Sequence, residues 1–147
     1  MKRKKKMAII ASYFDGETYG LLGPQMAATV IREHAPFDCI VIAVAREDDK
    51  VILKRALADY FGSERPIIGF STLSGREDLF SFAKECKAEG ALTILAGPQA
   101  DVDYLGEHKW REHPFRFKGL AKNFNFSIHG PAEQANYLLQ HLDDGVW

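Results

Sequence analysis

Apolar positions along this chain fall into two alternating periods. Met7–Phe14, Cys39–Ala45, Ile67–Leu73, Ala91–Ala96 and Phe124–His129 are short, nearly continuous apolar runs, the pattern of strands covered on both faces of a sheet. Between them the apolar residues recur at helical spacing. Leu22, Met26, Val30 and Ile31 do so from Leu21 to Glu33; Leu53, Ala56, Leu57, Tyr60 and Phe61 do so after Asp48-Asp49. Leu79, Phe82, Ala83 and Cys86 form a third stripe, and Ala135, Leu138, Leu139 and Leu142 a fourth.

The punctuation agrees with this division. Pro36, Gly62 and Gly90 stand where the first three helices should stop. Ser74-Gly75-Arg76-Glu77 reads as a capping box opening the third helix, and Pro131 suits the first position of the last one. A shorter helix is expected over Val102 to Gly106. Glu107 to Asn123, aromatic and basic, keeps neither period and reads as a surface loop or a face that docks another domain.

Strands alternating with helices in this way predict an α/β fold built on a doubly wound parallel sheet with right-handed crossovers. For five strands the flavodoxin-like order 2-1-3-4-5 is the natural choice, in three α/β/α layers, with Ile67–Leu73 in the middle. Ligands of such sheets bind at the carboxyl edge. Here that edge carries the loops Asp15–Gly20, Arg46–Asp49, Ser71–Gly75, Gly97–Asp101 and Gly130–Glu133, rich in glycine and small residues.

Composition narrows the class without naming a function. The 147 residues fit one domain, over residues 7–142, with a basic disordered leader at 1–6 and a short tail at 143–147 that reads as the truncation point of a longer polypeptide. A formal charge of −1 gives no global argument for a nucleic-acid partner, and no apolar run is long enough to span a bilayer. The two cysteines, Cys39 and Cys86, both lie in apolar elements and read as buried thiols, which points to the cytoplasm. His108 and His113 are not on one helical face, and no third ligand is spaced to join them, so no metal site is expected. Neither a G-x-x-x-x-G-K-[ST] loop, nor G-x-G-x-x-G after the first strand, nor a G-x-S-x-G elbow is present. Ser12 and Thr18 supply too few hydroxyls for a flavin phosphate loop, and a phosphoacceptor site lacks its aspartate after the third strand.

Four stretches, in order, resemble a known family. Tyr19-Gly20-Leu21-Leu22 looks like the G-L-x-x-L-A helix, Ile68-Gly69-Phe70-Ser71 like the V-G-I-S strand, Leu95-Ala96-Gly97-Pro98-Gln99 like the V-x-G-G-P-H turn, and Ile128-His129-Gly130-Pro131-Ala132-Glu133 like the V-x-G-E-G-E end of cobalamin-binding domains, in the version found at the N-terminus of B12-binding radical S-adenosylmethionine proteins. The resemblance runs from about Met7 to Leu142 and rests on shared order and spacing. Members that hold cobalt through histidine carry D-x-H-x-x-G and S-x-L. This chain matches them at Asp15, Gly20, Ser71 and Leu73 but has Glu17 where the histidine would stand.

The resemblance implies an accessory domain, non-catalytic by itself, that holds cobalamin without histidine ligation. Its site would be formed by Asp15, Glu17, Gly20, Gly69, Ser71, Leu73, Gly97, Pro98, Gly130 and Glu133, with no metal bound directly by protein. The 4Fe-4S cluster and S-adenosylmethionine would belong to a downstream radical SAM catalytic domain, the expected partner. The alternative is a flavodoxin-like docking or structural domain that binds no cobalamin, for which Glu17, Pro98 and Pro131, each off the family pattern, leave room.

Overall fold

Each apolar strand must cover two faces, and two different pairs of helices do the covering. The structure, a computed structural model, describes residues 3–14, 21–72, 76–97, 122–128 and 130–142. Its strands are β1 (Lys5–Ser12), β2 (Phe37–Val44), β3 (Ile67–Ser71), β4 (Leu92–Ala96) and β5 (Phe126–Ser127); its helices are α1 (Leu22–His34), α2 (Lys50–Phe61), α3 (Glu77–Ala88) and α4 (Glu133–Gln140). All strand pairs are parallel and the order is β2-β1-β3-β4-β5. This is the flavodoxin-like three-layer arrangement that the pattern predicts, with β3 central.

Side chains alternate across the sheet. Ala8, Ile10, Ile68, Phe70 and Leu95 pack against Leu53, Leu57 and Phe61 of α2 and Leu79, Phe82 and Ala83 of α3. Met7, Ile9, Ile67, Leu92 and Ile94 face the other way, against Ala28 and Ile31 of α1 and Ala135 and Leu139 of α4. Each large side chain buried this way is worth about 1.5–3 kcal/mol. Phe124 closes the first core, edge-on to Phe70 at 5.6 Å and to Phe80 at 5.3 Å. Among the described residues no helix is long and apolar enough to cross a membrane.

Several boundaries and phases differ from the expectation. The stripe of α1 is not Leu22 and Met26, which are 66% and 60% exposed, but Pro24, Ala28 and Ile31. Ile31 lies in the stripe as expected; earlier in the helix the phase differs, because i, i+4, i+7 spacing also fits Pro24 and Ala28. The basic leader is shorter than 1–6, since Lys5 and Lys6 belong to β1. Lys5 donates its amide to Pro36 O at 3.2 Å, and Lys6 Nζ reaches Tyr60 O at 2.7 Å. β5 spans two residues rather than Phe124–His129. Asn125 takes over the ladder below it, its side chain accepting from Thr93 N at 2.9 Å. Pro131 precedes α4 instead of opening it, and its carbonyl accepts from Gln134 N at 3.1 Å. The expected helix over 102–106, most of the aromatic and basic segment, and the tail lie outside the described residues.

At α2 the expected ends stand, with the Asp49 side chain accepting from Val51 N at 2.8 Å and Gly62 ending the helix at φ 60°; of the expected stripe Leu53, Leu57 and Phe61 are buried and Tyr60 half-buried, but Ala56 is exposed. At α3 another device replaces the capping box. The helix begins at Glu77, the cap position is Arg76 with no side-chain cap bond, and Ser74 is outside the described residues. Arg76, only 2% exposed, sends Nη1 to Val44 O at 2.9 Å and to Tyr13 O at 3.3 Å. Its Nε and Nη2 grip the Asp78 carboxylate at 2.8 and 3.0 Å, and Lys50 Nζ adds a contact at 3.0 Å. One guanidinium therefore ties the chain at the carboxyl ends of β1 and β2 to the start of α3.

Two predictions follow from these burials. Cys39 and Cys86 sit in cores on opposite faces of the sheet, and burial pushes both thiols up to about 12. Native protein is expected to leave both unreacted with a thiol reagent at neutral pH, and denatured protein to titrate two. Burial alone would raise the Asp78 carboxyl, but hydrogen bonds from Arg76 and Lys50, with their charges, outweigh it and hold it at about 2 against an ordinary 3.8. A carboxyl depressed by folding contributes stability that is present above its ordinary value and lost as pH falls through the folded one. Asp78→Asn should lower the melting temperature at pH 7, and that deficit should shrink as the pH is taken from 5 towards 2.

Candidate functional site

On the face covered by α1 and α4, the sheet runs out of large side chains at its carboxyl end. Register sets this row: Ala43 pairs with Ala11, Ala11 with Ser71, and Ser71 with Ala96. The row beneath holds Val41, Ile9, Gly69 and Ile94. Glycine and serine thus occupy the central strand where its neighbours carry isoleucine and alanine. The opposite face at the same level has Ile42, Ile10, Phe70 and Leu95, and is filled.

A slot of about 510 Å³ results, a volume typical of small-molecule sites. Met7, Ile9, Gly69 and Ile94 form its sheet wall, with Ser71, Ala96 and Gly97 towards the carboxyl rim. Pro24, Ala27 and Ile31 of α1 form the second wall. Ile128, Gly130, Ala132 and Ala135 close the third. Among the described residues no lining side chain is titratable; the polar residues of the lining are Ser12, Ser71 and Thr72, at the ends of strands or just beyond, and alternation puts Ser71 on the slot's face and Ser12 and Thr72 in the row of Ile10 and Phe70. Thr72 is wholly buried and its hydroxyl has no hydrogen-bond partner.

Two glycines keep the slot open. At Gly69 an added Cβ would lie 3.2 Å from the tip of Met7, whose flexible end covers the bare strand. At Gly97, φ is 79° and an added Cβ would lie 2.7 Å from Ser71 Oγ. The turn after β4 therefore brings its backbone against the last side chain of β3, which only glycine permits without strain.

Of the residues singled out from sequence, Gly69, Ser71, Gly97 and Gly130 come together on the slot walls. Glu133 does not: it opens α4, exposed and away from the lining. Asp15, Glu17, Gly20, Leu73 and Pro98 lie outside the described residues. The sequence reading missed the apolar walls, Met7, Ile9, Ala27, Ile31 and Ile94 among them. A period-two alternation through β1 and β4 was the signal for three of these, had the strand register been known.

A second cavity of about 300 Å³ lies at the amino edge, between Lys5, Lys6, Glu64 and Arg65. Its charges already face one another, Lys6 Nζ standing 3.6 Å from Glu64. It lacks the bare strand of the larger slot. Among the described residues no group of three or more His, Cys, Asp or Glu is placed to hold a metal ion.

The described walls suit a largely apolar group and offer no acid or base. Gly97→Ala should cost about 1–2 kcal/mol in chemical denaturation, the ordinary penalty for a side chain at positive φ. Most of that loss should persist in Gly97→Ala with Ser71→Gly, because the hydroxyl can rotate away while the backbone strain remains. No family model, curated protein or solved structure matches this chain.

Proposed function

We propose that the slot holds the nucleotide tail of a cobalamin, with the corrin disc lying over the carboxyl rim of the sheet. On this reading the domain is the accessory, His-off half of a radical SAM enzyme. The observation that carries it is the bare row on the central strand. Gly69, Ser71, Gly97 and Gly130, four positions of the family resemblance, line one slot of about 510 Å³.

The residues present fit such a group. Ser71 is placed to hydrogen-bond a tail base, Gly97 and Gly130 let a sugar-phosphate chain approach backbone at the rim, and Ile9, Ile31 and Ile94 supply apolar contact below. Cobalamin, when bound, supplies methyl-carrier or redox chemistry. The chain's own part is to bind, orient and keep water from the tail. With only two cysteines, both buried, it has no three-cysteine loop for a 4Fe-4S cluster, so cluster and S-adenosylmethionine are assigned to a separate catalytic domain.

One observation favours the second reading, a docking domain without corrinoid. Phe14 beyond β1, Leu22 and Met26 early in α1, and Val51 and Ile52 in the first turn of α2 are all exposed large apolar residues near the carboxyl edge. A rim of that kind also suits a protein surface.

Hydroxocobalamin mixed with the purified protein and passed through gel filtration separates the two. Corrin absorbance should elute with the protein, and Ala27→Phe, which fills the slot from α1, should reduce retention at least tenfold while leaving the fold intact by circular dichroism. Protein that elutes colourless from the wild-type mixture would favour docking and remove the corrinoid reading.

A further inference from the structure

The sheet has two edges, and they are unequally defended. β5 is two residues long, and a short edge offers little to an approaching strand. β2, at the other edge, is eight residues long and carries no lysine, proline or glycine: Phe37-Asp38-Cys39-Ile40-Val41-Ile42-Ala43-Val44. Lys5 N donates to Pro36 O and Tyr13 N to Val44 O. The even-numbered residues therefore turn their peptide groups towards β1, and Phe37, Cys39, Val41 and Ala43 turn theirs outward. Arg32 of α1 covers one outward group, its Nη1 donating to Cys39 O at 3.0 Å. Among the described residues, the amide of Cys39 and both backbone groups of Val41 and Ala43 have no partner. The side chains beside this edge are apolar on the α2 face. Ile40 and Ile42 are half-buried and pack, like Tyr60, against the first core. Ile52 and Ala56 precede Tyr60 on the same stripe of α2 at i, i+4, i+8 spacing, and both are exposed, Ile52 at 63%.

We infer that β2 pairs antiparallel with β2 of a second copy of this chain, about a two-fold axis at Val41, so that the two sheets join into one. The inference is independent of what the slot binds. Centred there, Val41 exchanges both of its hydrogen bonds with its own counterpart, and Cys39 exchanges them with Ala43 of the second copy. Cys39 O keeps its bond from Arg32, since a carbonyl has two lone pairs. Ile40 falls opposite Ile42 of the second copy in the closer, non-hydrogen-bonded pairs, where β-branched side chains pack well. Asp38, the one charge in β2, falls opposite Val44 and towards the Arg46 that follows it, which leaves the two carboxylates at opposite ends of the ladder. The neighbouring registers are closed. Centring on Ala43 calls on Ala45 N, which already donates to Asp48 Oδ2 at 2.8 Å. Centring on Cys39 sets the two Asp38 carboxylates diagonally against each other, a like-charge pair. A row of groups that matches itself in a single register specifies a second copy rather than an unrelated strand. Ile52 and Ala56, which flank the row, then gain the apolar partner that one chain does not give them.

Sedimentation velocity over a concentration series of the intact chain, paired with amide hydrogen exchange, tests this. The wild type should be at least half dimeric by about 100 μM, and exchange at the Val41 amide should slow as the dimer fills. Two substitutions should each weaken association by about tenfold or more and leave the circular dichroism of the monomer unchanged. Ile52→Glu puts a charge beside the ladder but in the first turn of α2, where an anion suits the helix start. Ala43→Pro removes an outward amide that the single chain does not use, a change an edge strand tolerates. If Ala43→Pro fails to fold, Ile52→Glu and the exchange series decide. A wild type mostly monomeric at the top concentration, a dimer that survives the folded substitutions, or a dimer whose Val41 amide exchanges as fast as the monomer's would overturn the inference.

Discussion

Parallel strands deliver all their carboxyl ends to one side of the sheet, and in this protein the register of that delivery decides everything about the site. Because Ala11, Ser71 and Ala96 are paired across three strands, the last row on one face is uniformly small. A shift of β3 by one residue would turn Phe70 into that row and Ser71 out of it. The slot would then be closed by an aromatic ring. Register is held by the core that lies opposite, where Ile10, Phe70 and Leu95 interlock with α2 and α3.

The two faces divide the labour between them. The α2 and α3 side is large-residue packing, completed at the carboxyl end by a buried guanidinium that bridges two strand ends and a helix start. The α1 and α4 side is built from Pro24, Ala27, Ala28 and Ala135, residues too small to reach the central strand at the carboxyl end. A binding crevice in an α/β sheet needs both: one face rigid enough to fix the strand ends, and another that stops short of them. The exposure of Leu22 and Met26 belongs to the same arrangement, since turning them inward would fill the slot.

The sheet was legible in the sequence because continuous apolar runs and helical spacing are written locally. Asp49 and Gly62 bounded α2 for the same reason: a cap and a positive-φ stop each need only their own few residues. The phase of α1 was not legible. Leu22 and Met26 are the larger apolar residues, and hydrophobicity alone turns them inward; only the partner surface shows that small residues are wanted there. Arg76 was missed because an arginine after a serine-glycine turn looks like a solvated helix start, and its partners Tyr13 O and Val44 O come from sequence positions far away. Gly69, Ser71, Gly97 and Gly130 were singled out through resemblance and line one slot, whereas Glu133, drawn from the same motif, is not part of its lining. The walls of the slot depend on the sheet register, which no local pattern encodes.

The slot also places binding and folding in thermodynamic linkage. Met7, Ile9, Ile31 and Ile94 line a slot of about 510 Å³, so a ligand seated there would add apolar packing to the described core. Any occupant that engages only the native state raises stability by RT ln(1 + [L]/Kd), about 2.7 kcal/mol at a hundred times Kd. For a domain of this size that is a sizeable fraction of the whole free energy of folding. A ligand seated there would thus raise the folded fraction as its concentration climbs above Kd.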